Sequence, residues 1–333
     1  MNGSQRVIIQ NKRIRYDFTI YRNITILYGD SATGKTTLID MVQDYYENGS
    51  DSSISLQCAK ECVVLSGRNW KAQLSLFHDS LIFIDEGNPF ITSEEFARTI
   101  AGTDNYYIIA TREDLENLPY SVTEIYGIRN TGIYGGLKQT YNDFYRVYGQ
   151  LSLSNDTKPL QIIVEDSGAG YQFFSALCGE QGLSCTAAQG KSNIFKLLTD
   201  QDREHPVLVI ADGAAFGSQI AKVYRLLRTG FPVILYLPES FEWILLTADL
   251  LKDNEIRQIL AHPEEYIDSA KHISWERFFT DLLTAKTAGT IWKYSKKQLN
   301  PIYLHQHERA AVIAAMPSQL PSMIKKRIAD YKK

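Results

Sequence analysis

Short apolar runs alternate with longer amphipathic stretches along the chain, and this alternation is typical of an α/β protein. The strands predicted in the first half are short and apolar, and they lie at 7–10, 13–20, 23–28, 62–65, 81–84, 106–110, 126–129 and 141–148. The helices predicted between them are amphipathic and lie at 35–46, 70–77 and 93–100.

The second half has a more regular rhythm, which begins after a polar, proline-ended stretch at 151–159. Four strand–helix units follow, and they predict a parallel sheet with right-handed crossovers. Their strands are predicted at 161–164, 183–186, 207–210 and 232–237, and their helices at 171–181, 193–199, 216–229 and 241–251. From residue 254 onward the chain is expected to be mostly helical. We therefore predict two domains, 1–150 and 160–333.

Composition restricts the class of protein only slightly. The 333 residues are 44% hydrophobic and carry a net charge of −3, as expected for a globular protein and without a basic excess that would indicate nucleic acid. The polar first residues do not resemble a signal peptide, and no run of about 18 apolar residues predicts a membrane span. The four cysteines predict no disulfide framework. We expect a cytoplasmic protein without a membrane partner.

A phosphate-binding loop is predicted where the third strand meets the first helix. Gly29, Gly34, Lys35 and Thr36 have the spacing of a P-loop, in the strand–loop–helix context that this motif requires. The glycines let backbone N–H groups converge on phosphate oxygens, Lys35 reaches the outer phosphates, and the Thr36 hydroxyl is suited to Mg²⁺. The predicted nucleotide-binding residues of this loop are Gly29, Asp30, Ser31, Ala32, Thr33, Gly34, Lys35, Thr36 and Thr37.

Polar residues follow two other apolar strands of the first half. Asp85 and Glu86 end the strand at 81–84, where Asp85 is predicted to bind the nucleotide-bound Mg²⁺ and Glu86 to orient or deprotonate an attacking water. Acids at strand ends are also common as ordinary solvated residues. Arg112 follows the strand at 106–110. It is either a sensor of the γ-phosphate or a surface arginine, and the sequence leaves both open.

With the motifs GDSATGKTTL, LIFIDEG and YYIIATRE, residues 6–112 resemble the ATP-binding cassette and SMC-type branch of P-loop ATPases. The resemblance implies binding and hydrolysis of ATP with Mg²⁺. Two departures weaken it: residues 38–80 are too few for the helical signature subdomain of that branch, and Arg112 stands where the family has a histidine. No base-specificity motif distinguishes ATP from GTP.

Carboxylates also follow the strands of the second half. Glu165 ends the first strand, Asp212 follows the third, and Glu242 comes shortly after the fourth. The carboxyl ends of parallel strands meet at one edge of a sheet, so these acids are expected to lie together. Converging carboxylates would make a Mg²⁺ or Mn²⁺ site suited to phosphodiester chemistry. The alternative is that they are ordinary strand-end acids.

The order of these acids over residues 160–250 resembles the TOPRIM domain of OLD-type nucleases, which follows an ATPase domain in that family. The resemblance implies that Glu165 is the catalytic acid or base and that Asp212 begins the Asp-x-Asp metal motif. It also implies that Glu242 is a metal ligand and that Lys191 contacts phosphate. The second acid of Asp-x-Asp is Ala214 here, so a ligand of a two-metal site is missing, for which Asp166 or Glu239 could substitute.

Together these features predict a P-loop sheet domain followed by a Rossmann-like, TOPRIM-like domain with a helical C-terminal part. The first hypothesis is an ATPase that gates a metal-dependent domain acting on DNA or RNA, with nuclease activity in a defence or mobile-element context. The alternative is a non-catalytic ATP switch that binds a protein partner through a degenerate TOPRIM-like domain. A small-molecule kinase is a third hypothesis. The sequence leaves homo-oligomerisation open.

Overall fold

The computed structural model describes residues 1–29, 33–131, 139–148, 159, 161–201 and 205–320. It is an α/β structure with one large mixed sheet and one parallel sheet. The chain divides into two compact units. Unit 1 comprises Met1–Gly149 and His262–Ser274, and unit 2 comprises Gln150–Ala261 and Trp275–Lys333.

Nine strands form the sheet of unit 1 in the part of the chain that the structure describes. In chain order they are β1 (Gln5–Gln10), β2 (Ile14–Ile20), β3 (Ile24–Tyr28), β4 (Ser55–Gln57), β5 (Cys62–Val64), β6 (Leu81–Ile84), β7 (Tyr106–Thr111), β8 (Ile125–Asn130) and β9 (Thr140–Arg146). Their order across the sheet is β4-β1-β2-β9-β8-β3-β7-β6-β5. From β8 to β5 the neighbours are parallel, whereas β1 pairs antiparallel with β2 and β4, and β8 with β9.

The parallel strands of unit 1 are buried because their sequences are almost continuously apolar. β6 and β7 are buried at every position. Against this sheet pack α1 (Lys35–Asn48), α2 (Trp70–Leu74) and α3 (Glu94–Ile100). The apolar face of α1 joins the core through Leu38, Met41 and Val42, which recur at helical spacing. The carboxyl ends of β3, β6 and β7 therefore lie at the edge of the sheet where α1 begins.

Unit 2 contains a four-stranded parallel sheet. Its strands are β10 (Gln161–Val164), β11 (Ser184–Ala187), β12 (Val207–Ile210) and β13 (Val233–Tyr236). The order across the sheet is β11-β10-β12-β13, so the chain moves from β10 to one side and then crosses to the other. The point where the strand order reverses lies between β10 and β12. In open α/β sheets, ligands bind outside the carboxyl ends of the strands at such a switch point.

The helices of unit 2 alternate with its strands and then continue alone. They are α4 (Ala169–Glu180), α5 (Lys191–Thr199), α6 (Gly217–Arg228), α7 (Phe241–Thr247), α8 (Asn254–Ala261), α9 (Trp275–Thr287) and α10 (Gln306–Ala314). A buried Phe cluster under α4 and α7 includes Phe173, Phe174 and Phe241, with ring centroids 5.5–6.0 Å apart. This packing fixes the first turns of both helices near the ends of β10 and β13.

Residues His262–Ser274 belong to unit 1, although the sequence analysis assigned them to the second domain. Backbone hydrogen bonds join this segment to the first residues of the chain: the Gly3 amide donates to the Glu264 carbonyl at 2.7 Å, and the Ser269 amide donates to the Met1 carbonyl at 2.9 Å. The Asn23 amide group also donates to the Ile273 carbonyl at 2.6 Å. Such long-range pairings leave no periodic signal in the sequence.

Most predicted elements are present, with differences at their ends. The helix predicted at 241–251 ends at Thr247, and strand β4, which was not predicted, pairs with β1. The predicted boundary at 151–159 lies outside the described residues except for Pro159. All four cysteines are free thiols. Among the residues that the structure describes, none of the helices combines the length and apolarity needed to cross a bilayer.

Candidate functional site

The predicted phosphate loop lies between β3 and α1, at the carboxyl edge of the unit 1 sheet. The Lys35 ammonium donates to the Gly29 carbonyl at 2.6 Å and to the Thr33 hydroxyl at 3.3 Å. This side chain is buried, so it joins the two ends of the loop instead of extending into solvent. Thr36 and Thr37 are exposed in the first turn of α1. Asp30, Ser31 and Ala32 lie outside the described residues.

Gly34 sets the geometry at the helix end of this loop. It adopts φ 92° and ψ 6°, a left-handed conformation that favours glycine, and it precedes the first residue of α1. The Tyr16 hydroxyl of β2 donates to the Gly34 carbonyl at 2.9 Å. A Cβ atom at position 34 would lie 2.9 Å from the Tyr16 hydroxyl oxygen. Both the backbone conformation and the close tyrosine therefore require glycine here.

The side chains predicted to act on a bound nucleotide follow β6 and β7, which are adjacent in the sheet. The Arg112 guanidinium donates two hydrogen bonds to the Glu86 carboxylate, from Nε at 3.0 Å and from Nη2 at 2.6 Å. This contact, together with the positive charge of Arg112 and of Lys35, holds the pKa of Glu86 below its ordinary value. Glu86, Arg112 and Lys35 thus share one electrostatic environment, and Glu86 is held as a carboxylate.

Asp85 lies one residue before Glu86 and is partly buried. Its Oδ1 accepts the Glu86 amide at 2.9 Å. Burial raises the pKa of Asp40 in α1, and the negative charge of Asp85 raises it further. Asp85 and Asp40 therefore interact electrostatically. Mg²⁺ is bound in proteins through one or two protein oxygens while substrate phosphates and water fill the remaining positions. A threonine hydroxyl and a carboxylate are donors of this kind, so the chemistry of the Thr36 and Asp85 side chains suits a nucleotide-bound Mg²⁺.

The acidic group of unit 2 lies at the switch point of the parallel sheet. Glu165 follows β10, and its Oε2 accepts the backbone amide of Asp212 at 3.0 Å. The Glu165 amide donates to the Ile210 carbonyl at 2.8 Å, which fixes the ends of β10 and β12 side by side. Beneath them is a cavity of about 10 Å³, roughly the space of one water molecule.

Burial disfavours the ionised form of both acids at the switch point. Burial raises the pKa of Glu165 to about 7, opposed by the Asp212 amide and by the ammonium groups of Lys191 and Lys296. Burial also raises the pKa of Asp212 well above its ordinary value, and the carboxylates of Glu276, Glu165 and Glu242 raise it further. The structure therefore brings the three predicted acids of this unit into one electrostatic group.

Of the two residues considered as substitutes for the missing second acid, Asp166 has another role. Asp166 accepts the amides of Gly168 and Gly170, the latter at 2.9 Å, so it holds the first turn of α4. Ala214, at the position of that acid, is buried in the core. The Glu239 carbonyl accepts the Ala214 amide at 3.3 Å. Lys191, predicted to contact phosphate, donates to the Ala215 carbonyl at 2.8 Å.

Glu242 is positioned by the start of α7 and is 1% exposed. The Ser240 hydroxyl accepts the Trp243 amide at 3.2 Å and caps the helix, which places Glu242 in its first turn. The Tyr294 hydroxyl donates to the Glu242 carboxylate at 2.7 Å. Burial and the negative charge of Glu242 raise the pKa of Tyr294, so the tyrosine remains a donor. This hydrogen bond occupies one oxygen of a predicted metal ligand.

Two further residues of the acidic group were missed by the sequence analysis. Lys296 forms an ion pair with Glu276, in the first turn of α9. Burial lowers the pKa of Lys296, but the carboxylates of Glu276, Glu242 and Asp212 together raise it above its ordinary value, so the ammonium stays charged. The Lys296 carbonyl accepts the Ala169 amide at 2.8 Å, which fixes this segment at the start of α4. Lys296 lies in a polar segment without regular secondary structure, so no sequence pattern indicated it.

Comparison of the chain with protein-family models, with curated proteins and with solved structures gives no match in any of the three cases. The two candidate sites therefore rest on their own residues and geometry.

The divalent metal predicted for unit 2 does not fit the arrangement of its side chains. Glu165 and Glu242 each use one oxygen in an internal hydrogen bond, Ala214 supplies no ligand, and the Lys296 ammonium already contributes a positive charge. Within the described ranges there is no group of three or more His, Cys, Asp or Glu side chains arranged to hold a metal ion. Glu165, Asp212 and Glu242 are close enough to interact, but they do not form a metal centre.

Proposed function

We propose that this chain binds a nucleoside triphosphate with Mg²⁺ in unit 1 and hydrolyses it. The observation that supports this proposal is the position of Lys35, whose ammonium turns back onto the Gly29 carbonyl across the loop. The Gly29 carbonyl and the Thr33 hydroxyl are neutral acceptors, and charged phosphate oxygens are stronger acceptors for an ammonium group. A polyphosphate can therefore replace the internal contacts of Lys35, supported by the N-terminus of the 14-residue helix α1.

In this proposal the surrounding residues have separate roles. Thr36 and Asp85 would hold Mg²⁺, which neutralises charge on the outer phosphates when it is bound. Glu86 would orient the attacking water or accept its proton, and Arg112 would respond to the γ-phosphate. Because both oxygens of Glu86 accept hydrogen bonds from Arg112, this contact has to open before Glu86 can act as a base. We expect slow basal hydrolysis for that reason.

Calorimetric titration with ATP and Mg²⁺, repeated with GTP, tests the binding step. We expect Lys35→Ala to lose measurable binding, because the ammonium that meets the outer phosphates is removed. Lys60→Ala is the matched control, since Lys60 forms an ion pair with Asp79 in the same unit and is remote from the loop in sequence. Equal affinity of wild type and Lys35→Ala would contradict the proposal.

For unit 2, two functions remain proposals: a TOPRIM-like domain that acts on DNA or RNA, and a degenerate domain that binds a protein partner under control of the nucleotide. The misfit of the metal favours the second. Incubation of plasmid DNA and of RNA with the protein, ATP and Mg²⁺ or Mn²⁺ separates them, with Glu165→Ala as the control. Metal-dependent cleavage that Glu165→Ala abolishes would establish the first function, and intact nucleic acid would support the second.

A further inference from the structure

We propose that two copies of this chain associate through unit 1, with the exposed Leu76 side chain of each copy entering a cavity beside Leu76 in the other. The face that carries Leu76 and the cavity lies at the edge of the parallel strands opposite the phosphate loop. The inference therefore does not depend on nucleotide binding.

The cavity lies where α2 and α3 end and has a volume of about 430 Å³. Its apolar lining residues are Leu74, Phe77 and Ala270, all of them in unit 1. The strands β6 and β7 begin just after the lining segments, whereas the phosphate loop follows the end of the parallel strand β3. Covering apolar surface of this kind with another apolar group is favourable in water.

The walls of the cavity are fixed by internal hydrogen bonds. The buried Asn105 side chain joins two of its loops, because its Nδ2 donates to the Phe77 carbonyl at 2.9 Å and its Oδ1 accepts the Ser80 amide at 3.0 Å. The Thr103 hydroxyl, also at the cavity, lies 2.7 Å from the Tyr107 hydroxyl. A partner that enters the cavity therefore has little chain to order, which favours association.

Leu76 projects from the same face. Its side chain is 77% exposed, the highest value among the large hydrophobic residues in the described part of the chain. Leu76 stands between Ser75 and Phe77, which both line the cavity. Its backbone is held in the turn after α2, since the Leu76 amide donates to the Gln73 carbonyl at 3.0 Å and the Phe77 amide donates to the Leu74 carbonyl at 3.2 Å.

A projecting leucine beside an apolar cavity makes this face complementary to itself. A two-fold axis in the contact plane, midway between the two features, brings Leu76 of each copy to the cavity of the other, so the association closes as a dimer. The charges at the cavity also suit a second copy. Lys71 forms an ion pair with Glu95, and His78 Nδ1 lies 3.5 Å from Asp104 Oδ1, so an identical face presents both signs of charge.

Sedimentation velocity of the full chain over a series of protein concentrations in nucleotide-free buffer tests the proposal. We expect a monomer–dimer equilibrium in wild type. Leu76→Asp should weaken it at least about tenfold, because the apolar cavity would have to bury a charge. Ile291→Asp is the matched control, since Ile291 is another exposed aliphatic residue, at 66%, and lies in unit 2. Lys35→Ala should dimerise as wild type, which separates this contact from nucleotide binding.

The cavity side of the contact is tested by Gly102→Trp. Gly102 lines the cavity, and a Cβ atom there would meet no other atom within 4 Å, so the substitution fills the cavity without disturbing the chain. Gly179→Trp is the matched control, because Gly179 has the same free space and lies in unit 2. Gly102→Trp should weaken the dimer, and Gly179→Trp should leave it unchanged.

A mixture of Leu76→Asp and fluorescently labelled Gly102→Trp gives the sharpest result. Only the heterodimer keeps one intact contact between a leucine and a cavity, so it should form at lower protein concentration than either homodimer. Wild type that remains monomeric throughout would overturn the proposal, and this result stands even where a variant does not fold. A wild-type dimer that neither substitution weakens, or a mixture without heterodimer, would overturn it as well.

Discussion

Arg112 binds both carboxylate oxygens of Glu86, and this pair joins the ends of the two neighbouring strands β6 and β7 beside the phosphate loop. The residue predicted to activate water is therefore held by the residue predicted to sense the nucleotide. Both side chains are partly exposed, at 31% for Glu86 and 51% for Arg112. An exposed ion pair contributes only about 0.2–1 kcal/mol to stability, so ligand binding can open it.

The pair predicts how the rate of ATP hydrolysis depends on pH. Arg112 lowers the pKa of Glu86, so wild-type Glu86 stays ionised to lower pH than an unpaired glutamate. In Arg112→Gln the pKa of Glu86 should rise toward its ordinary value, and the acid limb of the rate profile should move to higher pH. Phosphate release measured across that range checks this, with the exposed Arg98→Gln as control. If the acid limb does not move, the ionisation that controls the rate is not that of Glu86.

Gly34→Ala should damage the phosphate loop for two separable reasons. The left-handed φ of 92° strains any residue with a Cβ atom, and that atom would lie 2.9 Å from the Tyr16 hydroxyl oxygen. We expect a loss of stability of about 1–3 kcal/mol in urea unfolding, together with loss of ATP binding. Gly34→Ala/Tyr16→Phe should recover only part of this loss, because the backbone strain persists. Full recovery of stability and ATP binding would mean that the close tyrosine alone requires glycine at position 34, and that the backbone conformation does not.

The raised pKa of Glu165 predicts a stability that falls as pH rises. In the folded state Glu165 holds its proton up to about pH 7, whereas a glutamate in the unfolded chain releases it near its ordinary pKa of 4.5. Between these values the folded state binds more protons, so its stability is present at the acid end and is lost toward pH 7. We expect Glu165→Gln to flatten this dependence by an amount on the order of 3 kcal/mol.

Urea unfolding in metal-free buffer at a series of pH values measures this effect. Glu308→Gln is a suitable control, because it removes another carboxylate of unit 2, one that lies in α10. A wild-type curve whose stability rises steadily through the same interval would mean that Glu165 is ionised at low pH in the folded protein.

The hydrogen bond from Tyr294 to Glu242 predicts a coupling between two buried side chains. In Tyr294→Phe the Glu242 carboxylate loses the donor that lies 2.7 Å away, and a buried acceptor left without its partner costs about 1–3 kcal/mol. Glu242→Gln should reduce this cost, because a neutral amide is easier to bury than a charge. A double-mutant cycle measured by urea unfolding gives the coupling. Additive effects would show that the hydrogen bond contributes no specific stability.

The sequence predicted the strands and loop that carry the candidate sites, because their signals are local. β6, β7 and β12 are continuous apolar runs, and acids or glycines follow them within a few residues. The pairing of Glu165 with Asp212 also followed from the parallel order of the strands. In contrast, β4 is a three-residue edge strand with alternating exposure, too short to be distinguished from a turn.

The residues that were not predicted act across long separations in the chain. Tyr16 in β2 contacts Gly34, which lies just before α1. Tyr294 contacts Glu242, 52 residues earlier in the chain, and Lys296 contacts Glu276, 20 residues earlier. None of these contacts has a spacing or composition that a single sequence reveals. Two of them lie in unit 2: Tyr294 is the partner of Glu242, a carboxylate that the sequence alone assigned to a metal, and Lys296 is the partner of Glu276, which the sequence did not single out.

The return of His262–Ser274 to unit 1 has a practical consequence for dissecting the chain. A gene fragment that stops near residue 150 encodes a first half without the carbonyl of Ile273, which accepts the Asn23 amide, and without the partners of residues 1–3. Such a fragment would leave these polar groups without their native acceptors and donors. Biochemical assignment of activities to either half is therefore better done with point substitutions in the whole polypeptide than with truncations.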